Sequence, residues 1–413
     1  MLYFEAPDQS LRPVSFLNCV ALNRQGGFLP MNPLAGLLSN PDFVRSAARL
    51  IGAAAPQITF GKTAIFSKWE DVRDILNRDL DFLIAPVNGP RIEAVNGPFI
   101  LGMDRSETHL EERRALYAAM RTTDWPALAQ RAGKDADDIL KAVKAGDTLD
   151  IVNGYARPVA GRSATALMGI AGPSEADLMR VARALFHECF LNLNDDPKVH
   201  KKALTAFGEL KPWVEEEIAG RRKKKEHGDD MIGRLITEGA LDDDAIRRTV
   251  SGMLVGAIDT TATCVAYILD VILSRPEVKC EVLKDLNDPV RMRGWCYEAL
   301  RFRPHNPIVI RQAAADTSVG GKAVKAGTRV ICFTLSAMHD PGVFAWPERF
   351  DPERPEELYL HFGGGLHPCA GRALNGVQIP ALVSRILARD PVITEKIRFE
   401  GPFPDRLTIK LRA

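Results

Sequence analysis

The sequence carries almost no net charge: its 413 residues include 54 lysines and arginines against 53 aspartates and glutamates. Without a strong field of one sign, a chain has no general attraction for polyanions. The composition therefore argues against binding of nucleic acid, and any charged partner would have to be attracted by a local patch.

Paired cysteines are missing too. The seven cysteines are scattered along the chain, their number is odd, and none of them forms a Cys-x-x-Cys pair. This pattern argues against a disulfide framework and indicates a reducing compartment. We therefore expect a cytoplasmic protein.

Long apolar runs and targeting signals are also missing. No unbroken apolar stretch reaches the length of a transmembrane helix. The most apolar segment, Gly252 to Leu273, contains Asp259 and Asp270 and is typical of a buried core helix. Residues 1–8 hold no basic cluster and no long apolar stretch, so we expect neither a signal peptide nor a membrane span.

Regular βαβ units are absent, which argues against a doubly wound sheet. The spacing of apolar residues instead predicts helices at Trp69–Arg78, Glu107–Met120, Ala176–Phe190, Pro197–Lys225, Asp242–Ser274, Arg291–Arg303 and Ala373–Ala388. Asp242 is the expected N-cap of the longest helix. A β-hairpin is predicted at Gln57–Phe66, and loops rich in proline and glycine at 86–98 and 341–355. Long helices with a few small sheets predict a mainly α (α+β) fold, and we expect one domain over residues 1–413.

What the chain does contain is one cysteine in an unusual setting. Cys369 lies in a glycine-rich loop with the spacing Phe362-x-x-Gly365-x-His367-x-Cys369-x-Gly371, just before a predicted helix. The amide groups and positive dipole end of that helix favour a thiolate, and the glycines let the backbone approach a flat ligand closely. A lone cysteine cannot close a tetrahedral zinc site, but it can be the single protein ligand of a haem iron.

A second unusual segment lies in the middle of the longest predicted helix, which reads Gly256-Ala257-Ile258-Asp259-Thr260. Asp259 costs free energy to bury unless it is paired. The hydroxyl of Thr260 can bond the carbonyl of Gly256, four residues back, and so loosen the helix. A groove opened there could hold a small ligand beside a hydroxyl and a proton source.

These two segments resemble the haem-binding loop and the oxygen-activating motif of the cytochrome P450 family. Five motif regions follow the order of that family, and the resemblance covers nearly the whole chain. Ala257 stands where glycine is commonest, and Pro380 should kink or restart the helix after Cys369. The resemblance implies the helix-rich P450 fold, a triangular prism with small sheets, and haem b with Cys369 as the axial ligand of the iron.

Further residues acquire roles only through this resemblance. A Glu-x-x-Arg pair means little by itself, because most such pairs are exposed and contribute little. Here the resemblance implies a buried network that braces the core behind the cysteine loop, formed by Glu298, Arg301 and Arg349. It assigns the haem propionates to the basic residues His109, Arg113, Arg311 and His367.

The implied activity is insertion of one oxygen atom from O2 into a small or medium apolar organic substrate. Asp259 and Thr260 would manage proton delivery, and electrons would come from NAD(P)H through a ferredoxin or flavodoxin and its reductase. A basic patch for that partner would be formed by Arg105, Arg113, Arg114, Arg121 and Arg372. The substrate pocket would include Arg91, Asn96, Val255, Gly256, Ile308, Val309 and Phe403.

Three alternatives stay open at this point. A haem-thiolate peroxygenase or isomerase needs no reductase, but such enzymes usually lack the acid–threonine pair. A non-catalytic haem-binding sensor or carrier needs no oxygen-activating motif and usually has an added output domain. A haem-free enzyme could use Cys369 as a nucleophile.

Overall fold

The computed structural model describes residues 56–121, 124–192, 195–401 and 403–412 of the chain. Within these ranges the α-helices are α1 (Trp69–Asn77), α2 (Ala85–Asn96), α3 (Glu107–Ala119), α4 (Trp125–Lys141), α5 (Arg157–Met168), α6 (Glu175–Phe186), α7 (Pro197–Lys224), α8 (Met231–Glu238), α9 (Asp243–Leu273), α10 (Pro276–Val282), α11 (Pro289–Phe302), α12 (Thr334–Ala337) and α13 (Arg372–Leu387). Helices account for 58% of the described residues, which confirms the mainly α prediction. The N-terminal residues 1–8, for which no signal peptide is expected, lie outside the described ranges.

The strands form three small sheets in the described part of the chain. They are β1 (Gln57–Phe60), β2 (Thr63–Phe66), β3 (Phe82–Leu83), β4 (Thr148–Asp150), β5 (Val309–Ala313), β6 (Thr317–Val319), β7 (Lys322–Val324), β8 (Arg329–Cys332), β9 (Val392–Glu400) and β10 (Phe403–Lys410). The largest sheet has the order β1-β2-β8-β5-β3. Its β1 and β2 pair antiparallel, with Gln57 opposite Phe66, so the predicted hairpin is confirmed.

The ends of the predicted helices follow from capping. Asp242 is the N-cap of α9, because its carboxylate accepts the backbone N–H of Ala245 at 2.8 Å, as predicted. The segment predicted as Ala176–Phe190 is α6 followed by a π-helix, His187–Leu191. The helix after the cysteine loop does not restart at Pro380, since α13 runs through it as one element.

The prediction of a loop at 86–98 is wrong, because α2 occupies most of it. Pro86 lies in the first turn, where a missing N–H costs nothing, but Gly89 and Pro90 lie inside the helix and normally argue against one. Packing overrides that local preference. A Cβ built on Gly89 would lie 3.0 Å from the carbonyl oxygen of Gly102. Glycine at this position therefore lets α2 pack closely against the backbone at Gly102, and this packing stabilises the helix.

Helix α9 runs through the core. Its residues are shared by the two largest groups of packed apolar side chains, one towards α6 and α7 and one towards α11 and α13. Among the described residues it is the one helix long and apolar enough to cross a membrane, but 67% of its most apolar window is buried inside the protein. A core helix has the same composition, so this is weak evidence for a membrane span.

Candidate functional site

The cysteine loop has a backbone that requires glycine. Gly363 and Gly365 have φ angles of 69° and 64°, in the left-handed region. A Cβ on Gly365 would lie 1.7 Å from the carbonyl oxygen of Leu76, so no other residue fits there. The N–H of Cys369 donates to the carbonyl of Phe362 at 2.8 Å, which closes the loop just before α13 begins.

The Cys369 side chain borders solvent-accessible space, yet the surrounding protein desolvates its thiol. Both observations hold if the thiol faces a hollow enclosed by protein. Burial raises the pKa of Cys369, while the backbone N–H of Gly371 and the charge of Arg372 act in the opposite direction. The helix end alone therefore does not hold a thiolate, whereas a metal bound to the sulfur would deprotonate it.

A metal at Cys369 would have one protein ligand. Among the described residues, no group of three or more His, Cys, Asp or Glu lies together in a way that could hold a metal ion. The nearby Cys264 is buried, and burial raises its pKa to about 12. Among the described cysteines, Cys369 is thus the one suited to ligate a metal carried by a prosthetic group.

Three basic side chains meet beside this hollow: His109, Arg311 and His367. His109 is fully buried, and neither of its ring nitrogens has a hydrogen-bond partner in the described structure. Its ring centroid lies 5.4 Å from that of His367. Burial, followed by the charges of Arg311 and His109, lowers the pKa of His367 to about 3.

Arg311 is buried as well, and its guanidinium donates to the carbonyl of Ile310 at 2.8 Å. Burial lowers its pKa against the opposite effect of Asp104, and in the described ranges no carboxylate forms an ion pair with it. A buried guanidinium without an ion-pair partner is costly unless an anion joins it, and the two neighbouring imidazoles offer N–H donors to the same anion. Their arrangement therefore fits a prosthetic group with carboxylates beside the Cys369 hollow, such as the two propionates of haem.

Helix α3 presents a face to the same hollow. Ser106 caps this helix by accepting the N–H of His109 at 3.1 Å. Arg113, one turn later, lies 4.9 Å over the ring of Tyr117. Burial raises the pKa of Tyr117 while Arg113 lowers it, and the nearby Cys369 adds to the rise. These side chains lie at four-residue spacing, so one helix face approaches the cysteine.

Asp259 is buried and held by two arginines. Arg183 Nε donates to Asp259 Oδ1 at 2.9 Å, and Arg157 Nε lies 3.1 Å from the same oxygen. The other carboxylate oxygen, Oδ2, has no hydrogen-bond partner among the described residues. Arg183 also reaches the exposed Glu400, at 3.4 Å. The sequence showed that a buried acid needs a partner, but it did not show which residues supply one.

Thr260 forms the bond expected from the sequence. Its hydroxyl donates to the carbonyl of Gly256 at 2.5 Å. A Cβ built on Gly256 would meet no described atom outside its own helix within 4 Å, so open space lies beside this turn. Thr261 makes the equivalent bond to Ala257 at 2.7 Å but turns towards Asn375 on α13. The structure thus has a groove beside Thr260.

A small cavity lies between α2, α9 and the π-helix His187–Leu191. Its walls are formed by the mostly apolar residues Ile92, Val95, Asn96, Phe99, Leu185, Cys189, Phe190, Gly252 and Val255. The structure therefore brings the predicted Asn96 and Val255 to its wall. The Oδ1 atom of Asn96 is buried there without a hydrogen-bond partner in the described structure.

Three other predicted pocket residues, Ile308, Val309 and Phe403, do not line this cavity. Ile308 packs on Phe333 and Leu335, and Val309 packs against a separate apolar cluster. Phe403 lies 5.5 Å from the ring of His187, outside the cavity wall. The residues that sequence reasoning did not single out, such as Phe99 and Phe190, carry no polar or spacing signal that could have revealed them.

Glu298 and Arg301 are both fully buried and form a bidentate pair, with N–O distances of 2.8 and 2.9 Å. The hydroxyl of Tyr359 also donates to Glu298, at 2.9 Å. The structure corrects the predicted third member. The side chain of Arg349 is exposed and supplies only its carbonyl to the network, whereas Arg354 Nε lies 3.5 Å from Glu298.

The arginines of the predicted basic patch are largely neutralised. Arg105 pairs with Asp79 at 2.7 Å, Arg121 with Asp229 at 3.2 Å and Arg372 with Glu356 at 3.8 Å. Arg113 lies over Tyr117, and Arg114 is exposed. Because these arginines have acidic neighbours, they attract an acidic partner protein less strongly.

His361 should make the fold sensitive to acid. Neither ring nitrogen has a hydrogen-bond partner among the described residues, and the ring packs 5.2 Å from Tyr297. Burial, with Arg372 in addition, lowers the pKa of His361 to about 3. Because the unfolded chain binds a proton near pH 6.5 and the folded chain does not, stability falls as the pH drops below that value.

We therefore expect the change His361→Phe to reduce the loss of stability between pH 7 and pH 5 by about 1–2 kcal/mol. Phenylalanine keeps the ring packing and removes the titrating group. The free energy of unfolding, measured by urea denaturation at both pH values, checks this. An unchanged pH dependence would show that His361 is protonated within the fold.

Comparison with known proteins gives consistent matches. A family model described as Cytochrome P450 matches residues 177–391, more than half of the chain. The chain is 28% identical to Cytochrome P450-SU2 of Streptomyces griseolus over 353 residues, which cover 82% of this chain and 84% of that protein. It is also 28% identical to cyclooctat-9-en-7-ol 5-monooxygenase of Streptomyces melanosporofaciens, over 70% of this chain and 72% of that protein.

Solved structures agree in fold. A crystal structure of P450BioI in complex with an acyl carrier protein ligated to hexadec-9Z-enoic acid has a TM-score of 0.80 at 19% identity, covering 91% of this chain and all of that one. The crystal structure of CalO2 has a TM-score of 0.80 at 20% identity, covering 90% and 98%. At these identities the likeness concerns the fold, and it confirms the predicted fold class.

Proposed function

This chain belongs to the cytochrome P450 family and is a P450 monooxygenase, and we propose that Cys369 is the thiolate ligand of its haem. The observation that carries the proposal is the setting of Cys369, whose side chain borders solvent-accessible space although the surrounding protein desolvates its thiol. The basic side chains of His109, Arg311 and His367 lie together near the Cys369 loop, and no described carboxylate forms an ion pair with any of them. When bound, the haem supplies the oxidising chemistry.

The residues present fit haem b. His109, Arg311 and His367 would hold the propionates with charge-assisted hydrogen bonds, and Arg113 lies one turn from His109 on the same face. The sequence has no Cys-x-x-Cys pair to attach the porphyrin covalently. The backbone N–H of Gly371 and the Phe362 carbonyl fix the loop around the sulfur.

Asp259 and Thr260 would handle protons at the groove. Because the one hydroxyl hydrogen of Thr260 is donated to Gly256, its oxygen is left to accept a hydrogen bond from a water in the open space. Asp259 is anchored through Oδ1 by Arg183 and Arg157, which leaves Oδ2 to receive and release a proton. The two arginines offset the free-energy cost of burying the Asp259 carboxylate in the core.

Replacing Thr260 with alanine should lower the product formed per NAD(P)H consumed several-fold and raise hydrogen peroxide release, with substrate affinity unchanged. The swap removes the acceptor at the groove and is too small to disturb the fold. Asp259→Asn should slow turnover by about 100-fold, since proton transfer by a positioned group contributes about 10²–10⁴-fold. Thr261→Ala is the matched control, because that hydroxyl turns towards Asn375.

If the Thr260→Ala enzyme forms as much product per NAD(P)H consumed as the unchanged protein, this hydroxyl only shapes the helix. An equal fall in product formed per NAD(P)H consumed in the Thr261→Ala control would show that the fall comes from a change in the backbone of α9. Product, peroxide and NAD(P)H are measured in the same reaction, together with the affinity for the compound oxidised.

We also propose that the electrons come from NAD(P)H through a ferredoxin or flavodoxin and that the enzyme works in the cytoplasm on a small or medium organic substrate. The exposed Arg114 supports an acidic partner, although Arg105, Arg121 and Arg372 are paired with acids. Reconstitution with each type of donor in turn distinguishes the two partners. The scattered cysteines of the sequence, none of them in a Cys-x-x-Cys pair, support a reducing compartment such as the cytoplasm.

A further inference from the structure

Asn375 has a polar side chain that its own helix does not explain. It lies in the first turns of α13, where its backbone N–H donates to the carbonyl of Gly371 at 2.8 Å. Asparagine is unfavourable inside a helix, because its side chain competes for backbone hydrogen bonds. In the described structure the Asn375 side chain bonds no backbone group, so it does not cap the helix. Its function therefore depends on what its amide group faces.

The amide faces the same gap as the sulfur of Cys369. Asn375 and Gly371 are four residues apart, so they lie on one side of the helix start. A Cβ built on Gly371 would lie 3.6 Å from Asn375 Nδ2 and 3.8 Å from Cys369 Sγ. Both atoms therefore border the gap that the missing side chain leaves, and a rotation of either side chain can bring them together.

The other end of the amide is turned towards α9. The Oδ1 atom of Asn375 accepts a hydrogen bond from the hydroxyl of Thr261 at 3.2 Å. Nδ2, which carries two N–H donors, has no hydrogen-bond partner among the described residues. The reverse orientation would place a carbonyl oxygen beside the sulfur, which is unfavourable for a thiolate because both groups can only accept. The observed orientation thus suits a deprotonated Cys369.

A donor at this place acts on the iron ligand. A thiolate passes electron density to a haem iron, and hydrogen bonds to the sulfur reduce that donation. The backbone N–H of Gly371 already acts on the same sulfur. Because iron(III) gains more than iron(II) from an electron-rich ligand, each further hydrogen bond to the sulfur raises the reduction potential of the iron.

We propose that Asn375 donates a hydrogen bond from Nδ2 to the Cys369 thiolate when haem is bound, and that this bond raises the reduction potential of the iron. Asn375 is a positioning residue, since it acts on the iron through Cys369. The inference rests on the proposed assignment of Cys369 as the haem ligand.

The test changes Asn375 in the haem-loaded protein to leucine, which removes the donor at similar volume, and to aspartate, which keeps the shape and removes both N–H groups. The reduction potential is measured by spectroelectrochemical titration at pH 7.5 without substrate. In Asn375→Leu we expect the ratio of iron(II) to iron(III) at a fixed potential to fall about 10-fold, which corresponds to a potential about 59 mV lower. Asn375→Asp should lower the potential at least as far, because a negative charge is added beside the sulfur.

Resonance Raman spectroscopy separates the loss of a hydrogen bond from a change in local polarity. Without the donated bond the sulfur binds iron more strongly, so the iron–sulfur stretching frequency should rise in both variants. Ser384→Ala is the control on the same helix, since the hydroxyl of Ser384 donates to the carbonyl of Ala381 at 3.3 Å. It should change neither the potential nor the frequency.

The inference is overturned if both Asn375 variants keep the potential and the frequency of the unchanged protein, or if Ser384→Ala shifts them equally. If Asn375→Leu does not load haem, Asn375→Asp decides alone, because it matches asparagine in shape. The carbon monoxide spectrum of the unchanged protein is recorded first. A red-shifted band supports the thiolate assignment whatever the variants do, and its absence would overturn that assignment together with this inference.

Discussion

The change Cys369→His will abolish the strongly red-shifted Soret band that the reduced protein shows with carbon monoxide. That band reports a thiolate on the iron, and Cys369 is the cysteine whose side chain faces the hollow beside His109, Arg311 and His367. A histidine in the loop can ligate iron, so haem can stay bound while the band moves. The loss should be complete, because in the described part of the chain no other cysteine lies in a comparable setting.

Cys264→Ala is the control for this experiment. Cys264 lies close enough for the charge of Cys369 to raise its pKa further, but it is buried within α9. We expect the spectrum of this variant to be unchanged. A red-shifted band that persists in Cys369→His would mean that another sulfur ligates the iron and that the assignment of the loop is wrong.

The parts of the site that could be predicted from the sequence depend only on residues that are close together along the chain. The spacing from Phe362 to Gly371 predicts the loop because Gly365 has no room for a side chain beside Leu76, so the residue type follows from the backbone. The bond between Thr260 and Gly256 is equally local, since four residues of one helix set its geometry.

The partners of Asp259 could not be predicted in this way. Arg183 is 76 residues away along the chain and lies on α6, and Arg157 lies at the start of α5. Only the packing of these helices on α9 brings the three side chains together. Helix α2 was missed for a related reason, because its packing over the cavity outweighs the local cost of Gly89 and Pro90.

Arg349 and Arg354 show why the third member of the buried network could not be predicted from the sequence. Both arginines follow the same dipeptide, in Pro347-Glu348-Arg349 and Pro352-Glu353-Arg354. Sequence alone cannot distinguish them. In the structure, the chain turns so that the carbonyl of Arg349 accepts from Arg301, while the side chain of Arg354 points inward to Glu298.

We expect Glu298→Ala and Arg301→Ala to give little or no haem-loaded protein. Removing Glu298 leaves the fully buried guanidinium of Arg301 without its carboxylate, at a cost of about 3–5 kcal/mol. Most domains have only about 5–15 kcal/mol of stability. Removing Arg301 also frees the carbonyls of Pro347 and Arg349, which the guanidinium holds at 2.7 and 3.1 Å, and so loosens the segment that leads to the cysteine loop.

The two remaining arginines provide an internal comparison of the corrected network. Arg354→Ala should lower the yield of haem-loaded protein, because its side chain is buried against Glu298 and also bonds the carbonyl of Ala345 at 2.9 Å. Arg349→Ala should leave yield and haem content near normal, because its exposed side chain contributes only a backbone carbonyl, which alanine retains. Haem absorbance per mole of purified protein, with the melting temperature, measures both effects. Normal haem content in Arg354→Ala together with its loss in Arg349→Ala would reverse the assignment, and normal content in Glu298→Ala would show that the buried pair does not support the cysteine loop.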